Sequence, residues 1–279
     1  PDTMMVGEIG DESGMAMVAQ YSSPSAEGAE RLHMGYCFDL LADRHDAPYL
    51  HGVIAKFERV AAEAGGGWAC WALSNHDCQR LATRWGGDNP DPALLRLAPA
   101  LQLSLRGAVC LYQGEELGLP EADIAFEDLQ DPYGITMWPE FKGRDGCRTP
   151  FPWDSAAPDL GFGASGSAVK PWLPVAESHR ALAVDAQEAD PGALLHHYRH
   201  LLQWRRTQPA LVDGDLTLLP VDAQVLAFVR THGDERLLCA FNLSTEPATL
   251  ALPAGDQVDA QSTLSFDPYG VRFARLTRV

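Results

Sequence analysis

The sequence predicts an α/β chain built on a parallel sheet, with a small antiparallel β-domain behind it. Three observations predict this. As far as residue 112, short apolar runs of strand length alternate with runs of helical periodicity. Between about residues 113 and 190 no periodicity persists, and Pro, Gly, Asp and Trp abound. From Leu211 onward, short strands separated by turn signals replace helices altogether.

Taken in order, Met4-Met5-Val6 reads as a buried strand that delivers a carboxylate, Glu8, between two glycine-containing turns. A short helical stretch follows "GDESG", then a polar loop over 21–30. The run "RLHMGYCFDLL" is long enough for a second buried strand. Residues 48–64 place Leu50, Val53, Ile54, Phe57, Val60 and Ala61 at helical spacing, with Pro48 at the start and "GGG" at the end. "WACWAL" is the next strand, and "SNHD" breaks it. "DPALLRLAPALQLSLRG" predicts a helix from an Asp cap that Pro99 should kink, and "AVCLYQG" predicts a further strand. After the long loop, "PGALLHHYRHLLQWRRTQP" puts Leu194, Leu195, Tyr198, Leu201 and Leu202 on one helix face. The domain boundary is expected between residues 208 and 209, so that 1–208 form the α/β part, with its loop at 113–190, and 209–279 the β-domain.

Composition narrows the partners. With 38 acidic and 21 basic residues the net charge is −17, which repels phosphate backbones and anionic lipid. Nucleic acid and membrane surfaces are therefore excluded as expected partners, and a neutral ligand fits better. Only Lys56, Lys142 and Lys170 are lysines, so arginine carries the positive charge and is available for planar recognition of carboxylate or hydroxyl groups. The six cysteines form no C-x-x-C pair, and several sit in apolar runs, as expected of reduced core thiols in a cytoplasmic protein. No basic-then-apolar leader precedes the first strand, and Arg96 and Arg106 interrupt the longest candidate for a membrane span.

Polar groups stand after three of the strands: Glu8, His76 with Asp77, and Tyr112 through Glu116. In a closed parallel barrel all C-terminal strand ends face one mouth, so these groups converge there. Taken singly each has a plainer reading: Glu8 as a helix cap, His76-Asp77 as a turn. The set is more specific. "MMVGEIG", "WALSNHDCQR", "LRGAVCLYQGEELGL" and "FKGRDGCRTPFPW", in this order and spacing, resemble the α-glucosidases of the α-amylase superfamily, glycoside hydrolase family 13. The resemblance extends through "WLPV" and "LLHHYRHLLQWRR" to the β-domain.

The resemblance implies a retaining α-glucosidase acting on small oligosaccharides or α-glucosides. Glu8 would be the general acid/base at the end of the fifth barrel strand, and Asp77 the carboxylate that stabilises the transition state. His76 would bind the same sugar. Arg144 in "GRD" would hold the non-reducing-end glucose, with Arg148 of the same motif as the alternative. The chemistry accounts for the residue types: one carboxyl protonates the leaving oxygen while a second attacks the anomeric carbon through an oxocarbenium-like transition state. Glu8 has to carry its proton to the leaving oxygen, and a fixed negative charge at Asp77 favours the developing cation.

The family's nucleophile sits in a "G-x-R-x-D" motif after the fourth strand, and this sequence contains no such motif. Asp39 follows Glu8 in the chain and is not that residue. The expectation is therefore the C-terminal half of a (β/α)8 TIM barrel, strands five to eight, without its nucleophile. It would be inactive alone, would have two open sheet edges, and would need the N-terminal half of the barrel as partner. No cofactor or metal is expected in this segment. Phe151, where the family often has Met, and Cys78 and Gln79 bear on substrate preference.

Three plainer features remain. Glu115 and Glu116 are expected to make structural salt bridges, and His196 and His200, at i,i+4, to lie on a partly exposed helix face. Trp138, Trp153 and Trp172 either stack on sugar rings or pin the long loop. The rival functions are a transglycosylating or isomerising relative acting on trehalose or sucrose, a non-catalytic glucosidase-like partner protein, and a carbohydrate-binding module. Retention of Glu8 and Asp77 argues against the non-catalytic partner. The module is disfavoured because Phe228, Phe241, Phe266, Tyr269 and Phe273 mostly fit core alternation.

Overall fold

A computed structural model describes residues 3–10, 14–24, 31–163 and 170–278 of the chain. The elements run β1 (Val6–Gly7), α1 (Met15–Ser22), β2 (Met34–Cys37), α2 (Ala47–Glu63), β3 (Ala69–Ala72), α3 (Leu81–Gly86), α4 (Pro92–Ser104) and β4 (Ala108–Cys110). The long loop holds α5 (Pro132–Met137) and α6 (Val184–Ala189) among short 3-10 turns, and α7 (Leu194–Arg206) and α8 (Pro209–Val212) follow. Eight strands close the chain: β5 (Asp215–Leu218), β6 (Val225–His232), β7 (Glu235–Asn242), β8 (Ala248–Ala251), β9 (Asp256–Gln257), β10 (Thr263–Phe266), β11 (Val271–Arg275) and β12 (Thr277–Arg278). Parts of the turn at 10–14, of the loop at 21–30 and of the long loop (11–13, 25–30 and 164–169) lie outside the described residues.

The chain forms two compact units, one of Pro1–Ala72, Arg96–Cys110 and Leu201–Val279, the other of Leu73–Leu95 and Leu111–His200. In the first, β1 to β4 pair in chain order, all parallel, with Gly35 opposite Ala69 and Cys70 opposite Ala108. This is the predicted parallel α/β grammar. β3 is buried at every residue, as a central strand covered on both faces must be.

Helix α2 forms as its spacing predicts. The Asp46 side chain accepts the Tyr49 amide at 3.0 Å, Pro48 stands in the first turn, and the whole apolar stripe from Leu50 to Ala61 is buried. Phe57 meets Trp71 of β3 edge to face at 5.4 Å. Helix α4 carries on through Pro99 to Ser104. From it, the buried Gln102 amide donates to the carbonyls of Trp71 and Cys110, at 3.0 and 3.1 Å, and so ties β3 to β4.

Two expectations are corrected. Met4, Met5 and Val6 are exposed, at 64%, 47% and 39%, because β1 is an outer strand with β2 as its neighbour. The second strand is also shorter than its apolar run. The chain turns at Phe38–Leu41, where the Tyr49 hydroxyl donates to the Asp39 carbonyl at 2.7 Å and Lys56 approaches the Asp39 carboxylate at 3.7 Å. These contacts bind the turn to α2.

The antiparallel part also belongs to the first unit. Its main sheet has the order β11-β7-β6-β5, and β8–β10 and β9–β12 form small ladders. Gly233, at φ +56°, makes the tight turn between β6 and β7. Val225, Ala227, Val229, Leu238, Ala240, Leu250 and Leu264 fill the core.

Two arginines, Arg205 of α7 and Arg230 of β6, fasten their elements to the end of α4. The Arg230 guanidinium, fully buried, donates to the carbonyls of Ser104, Gly214 and Asp215 at 2.6, 2.8 and 3.3 Å. Arg205 donates to those of Leu103 and Gly107 at 2.8 and 3.2 Å. Both therefore serve the C-terminal end of α4, where helical carbonyls lack partners and the dipole favours a cation. Burial pulls Arg230 down to about 10, which leaves it charged at neutral pH. Arg230→Leu strands the two buried carbonyls of Ser104 and Gly214, so urea denaturation should show a loss of about 3 kcal/mol. An unchanged urea midpoint would mean that these carbonyls find other partners.

Candidate active site

Within the second unit, the turn after Ala72 is built from its own polar side chains. The Asn75 Oδ1 accepts the Asp77 amide at 2.9 Å, and the Ser74 hydroxyl oxygen accepts the Leu81 amide at 3.1 Å, where α3 starts. "SNHD" is thus the turn that its plainer reading requires, and it also presents His76 and Asp77. One oxygen of Asp77 is the meeting point. Its Oδ1 accepts Arg144 Nη1 at 2.9 Å and Arg148 Nη2 at 2.8 Å, with His76 Nε2 at 3.5 Å. Arg148 Nε also donates to the His76 carbonyl, at 2.7 Å. Four of the predicted site residues, His76, Asp77, Arg144 and Arg148, therefore form one cluster. Oδ2 of Asp77 carries none of these bonds.

Arg144 is aimed from behind by Asp131. The Asp131 carboxylate, with no side-chain exposure, accepts Arg144 Nε and Nη2 in a fork at 2.8 and 3.0 Å and the Arg144 amide at 2.8 Å. The guanidinium holds this carboxyl far below the usual carboxylate range, and Arg144 is raised in return. Asp131 also caps α5 through the Tyr133 amide at 3.2 Å, and the Arg144 guanidinium lies over the Tyr133 ring at 5.1 Å. Asp145, itself buried, accepts the amides of Gln130 and Asp131 at 2.6 and 2.8 Å. The segments close this tightly because two glycines let them. A Cβ on Gly134 would meet the Lys142 carbonyl at 2.5 Å, and Gly143 takes φ +76° beside Asp131.

Asp131→Asn keeps the size and the cap but turns an amide NH2 group toward the guanidinium. The Arg144 amide should then exchange with solvent about fivefold faster, since one hydrogen bond is worth roughly 1 kcal/mol. Unchanged exchange at Arg144 would remove Asp131 from its supporting role.

The surroundings are open, polar on the Asp77 side and aromatic beyond Arg148. Asp77 and Arg144 line a hollow of about 590 Å³ that Glu121 and Lys142 also border. Arg148 lines another, of about 510 Å³, walled by Phe151, Trp153, Phe162 and Trp172. Of the three tryptophans, two pack on a phenylalanine of the same loop, Trp153 on Phe151 at 4.7 Å. Trp138 packs on Phe126 at 5.5 Å under the Lys142 ammonium and pins the loop, whereas Trp153 and Trp172 are 51% and 77% exposed. His196 and His200 lie on the outer face of α7 as expected, and no group of three metal-ligating side chains occurs among the described residues.

The salt bridges expected of Glu115 and Glu116 are absent among the described residues. Glu115 is buried with neither carboxyl oxygen bonded, and Glu116 accepts the Gly114 amide at 2.8 Å. The tight turn at Gly114, φ +91°, folds both side chains inward. Glu8 is in the first unit, exposed, immediately after β1.

Comparison with known proteins places these residues in context. Residues 1–214 match the family described as alpha amylase, catalytic domain, and residues 216–273 match the maltogenic amylase C-terminal domain. A probable alpha-glucosidase of Rhizobium meliloti (strain 1021) is 47% identical over 256 residues, which are 91% of this chain and 44% of that protein. The crystal structure of the alpha-glucosyl transfer enzyme XgtA superposes with a TM-score of 0.88 at 46% identity, covering 100% of this chain and 51% of that one. Trehalulose synthase MutB from Pseudomonas mesoacidophila MX-45 shares the fold, with a TM-score of 0.81 at 24% identity. The chain spans less than half the length of the curated relative and about half that of XgtA.

Proposed function

Since the chain belongs to the α-amylase family, glycoside hydrolase family 13, we propose that it carries the acid/base and sugar-binding half of a retaining α-glucosidase site, built from strands five to eight of a TIM barrel. The observation that carries this reading is the Asp77 carboxylate, held through one oxygen by Arg144 and Arg148 beside His76. An aspartate so fixed keeps its other oxygen for a sugar hydroxyl and its charge for the oxocarbenium-like transition state. Glu8 gives its proton to the leaving oxygen. His76 and Arg144 bind the glucose, and Arg148 anchors the turn that carries Asp77. The nucleophile comes from a segment outside these 279 residues, so this chain alone is inactive.

The substrate is a neutral α-glucoside or small oligosaccharide, in keeping with a net charge of −17. Trp153 and Trp172 offer open ring faces for a second sugar unit beside Arg148. Free cysteines suit a reducing, cytoplasmic setting. Among the described residues no helix is long and apolar enough to cross a membrane. A second reading, glucosyl transfer to an acceptor other than water, is favoured by the 46% identity to an alpha-glucosyl transfer enzyme.

The test joins this chain to a separately expressed first half of a family catalytic domain and follows release of p-nitrophenol from p-nitrophenyl α-glucoside. Activity should arise only in the mixture, and Glu8→Gln should lower it on maltose far more than on p-nitrophenyl α-glucoside. Product analysis on maltose then separates free glucose from transfer products. Activity on maltose that Glu8→Gln leaves unchanged would overturn the reading.

A further inference from the structure

Arg144 and Arg230 use their guanidinium groups fully: one grips Asp131 through Nε and Nη2, and the other holds three carbonyls. Arg80, at the start of α3 and 2% exposed, does not. Its Nη1 donates to the Gln113 carbonyl at 2.7 Å, whereas Nε and Nη2, the edge with which Arg144 grips its carboxylate, find no partner among the described residues. A cationic edge buried without an acceptor costs more than a neutral group in the same place.

Two further side chains share this lack. Both carboxyl oxygens of Glu115 and the hydroxyl of Tyr198 are buried without a partner among the described residues. Arg80, Glu115 and Tyr198 line one cavity of the second unit, which leaves about 10 Å³ for the centre of a water molecule. They reach it from three segments: the start of α3, the turn after β4, and α7. The other polar groups of the wall are engaged. The Tyr112 hydroxyl donates to the Cys147 carbonyl at 3.0 Å, and the Ser74 oxygen accepts the Leu81 amide at 3.1 Å. The three orphans complement one another, since a guanidinium only donates, a carboxyl oxygen accepts and a phenol does either. One water that accepts from Arg80 and Tyr198 and donates to Glu115 makes three bonds, the usual number for an internal water, and the room is that of one molecule. An anion would be larger and would face Glu115; a cation would face Arg80.

We propose that this cavity is a binding site for one internal water, shared by Arg80, Glu115 and Tyr198, that locks the turn bearing His76 and Asp77 to α7. Arg80 carries the connection. Its amide, four residues after His76, donates to Glu121 Oε2 at 2.8 Å, and its Nη1 holds Gln113. The guanidinium that the water steadies therefore ties the turn to the chain on both sides of Glu115. This site needs no substrate and is independent of the reaction proposed for Asp77.

Tyr198→Phe in the intact chain tests the site by the sign of its effect. Phenylalanine keeps the shape of the side chain and removes only the hydroxyl. If that hydroxyl bonds the water, its removal takes away one of the water's partners, and the urea midpoint should fall. A hydroxyl buried with no partner is itself a penalty, so its removal would raise the midpoint. A raised or unchanged midpoint overturns the proposal. Crystals of the intact chain soaked in sodium bromide then identify the occupant. Density for a single water should lie within hydrogen-bond distance of the Tyr198 hydroxyl, the Glu115 carboxyl and the Arg80 edge, with no anomalous signal from bromide. A bromide peak would make this an anion site, and a dry cavity, or the three side chains closed directly on one another, would equally overturn the proposal.

Discussion

In the complemented enzyme, Glu8→Gln is expected to lower kcat by about 10³-fold on maltose and by distinctly less on p-nitrophenyl α-glucoside. Glutamine preserves the length and polarity of the side chain but has no proton to give. A sugar alkoxide leaves poorly without protonation; p-nitrophenolate leaves readily without it. The loss should therefore depend on the leaving group if Glu8 is the acid. Asp77→Asn provides the contrast. It removes charge from a carboxylate that two guanidinia and a histidine surround. In the proposed role that charge would act on the sugar ring rather than on the leaving oxygen, so its loss should be similar for both substrates. Equal losses on both substrates for Glu8→Gln would take it out of the acid/base role even if activity fell steeply.

The sequence reading reached the elements whose physics is local. The stripe from Leu50 to Ala61 specifies α2 because its spacing buries one face wherever the helix lands. The strands before Glu8 and His76 announce themselves as short apolar runs, and the motif order carried the family. What escaped it was non-local. Asp131 and Asp145 act across 13 or more residues within the aperiodic loop, where no spacing indicates which acid meets Arg144. A signal was available: Asp131-Pro132 repeats the cap-then-proline grammar that Asp46 and Pro48 use at α2. Likewise, nothing in "VLAFVR" shows that Arg230 turns inward to the end of α4. The outward face of Met4 to Val6 follows from which strands lie beside β1, and that is a property of the sheet rather than of the run.

The misread pair at Glu115 and Glu116 leads to the other large expected effect, a reversal of the usual pH dependence. Glu115 stands beside a very small cavity with Ser74, Arg80, Tyr112 and Tyr198, and among the described residues neither its carboxyl oxygens nor the Tyr198 hydroxyl finds a hydrogen-bond partner. Burial pushes Glu115 up to about 8, the Ser74 hydroxyl opposing and Glu116 adding to the rise. The folded state thus binds this proton more tightly than the unfolded chain, whose glutamate titrates near 4.5. The sign follows: the contribution is complete below about pH 4.5 and is lost as pH rises through 8, with a slope of at most about 1.4 kcal/mol per unit. Glu115→Gln copies the protonated form and cannot ionise. It should be nearly neutral at pH 5, where wild type already carries the proton, and stabilising by roughly 5 kcal/mol at pH 9. Urea midpoints at the two pH values measure it, and parallel curves for wild type and variant would show that Glu115 is ionised in the fold throughout.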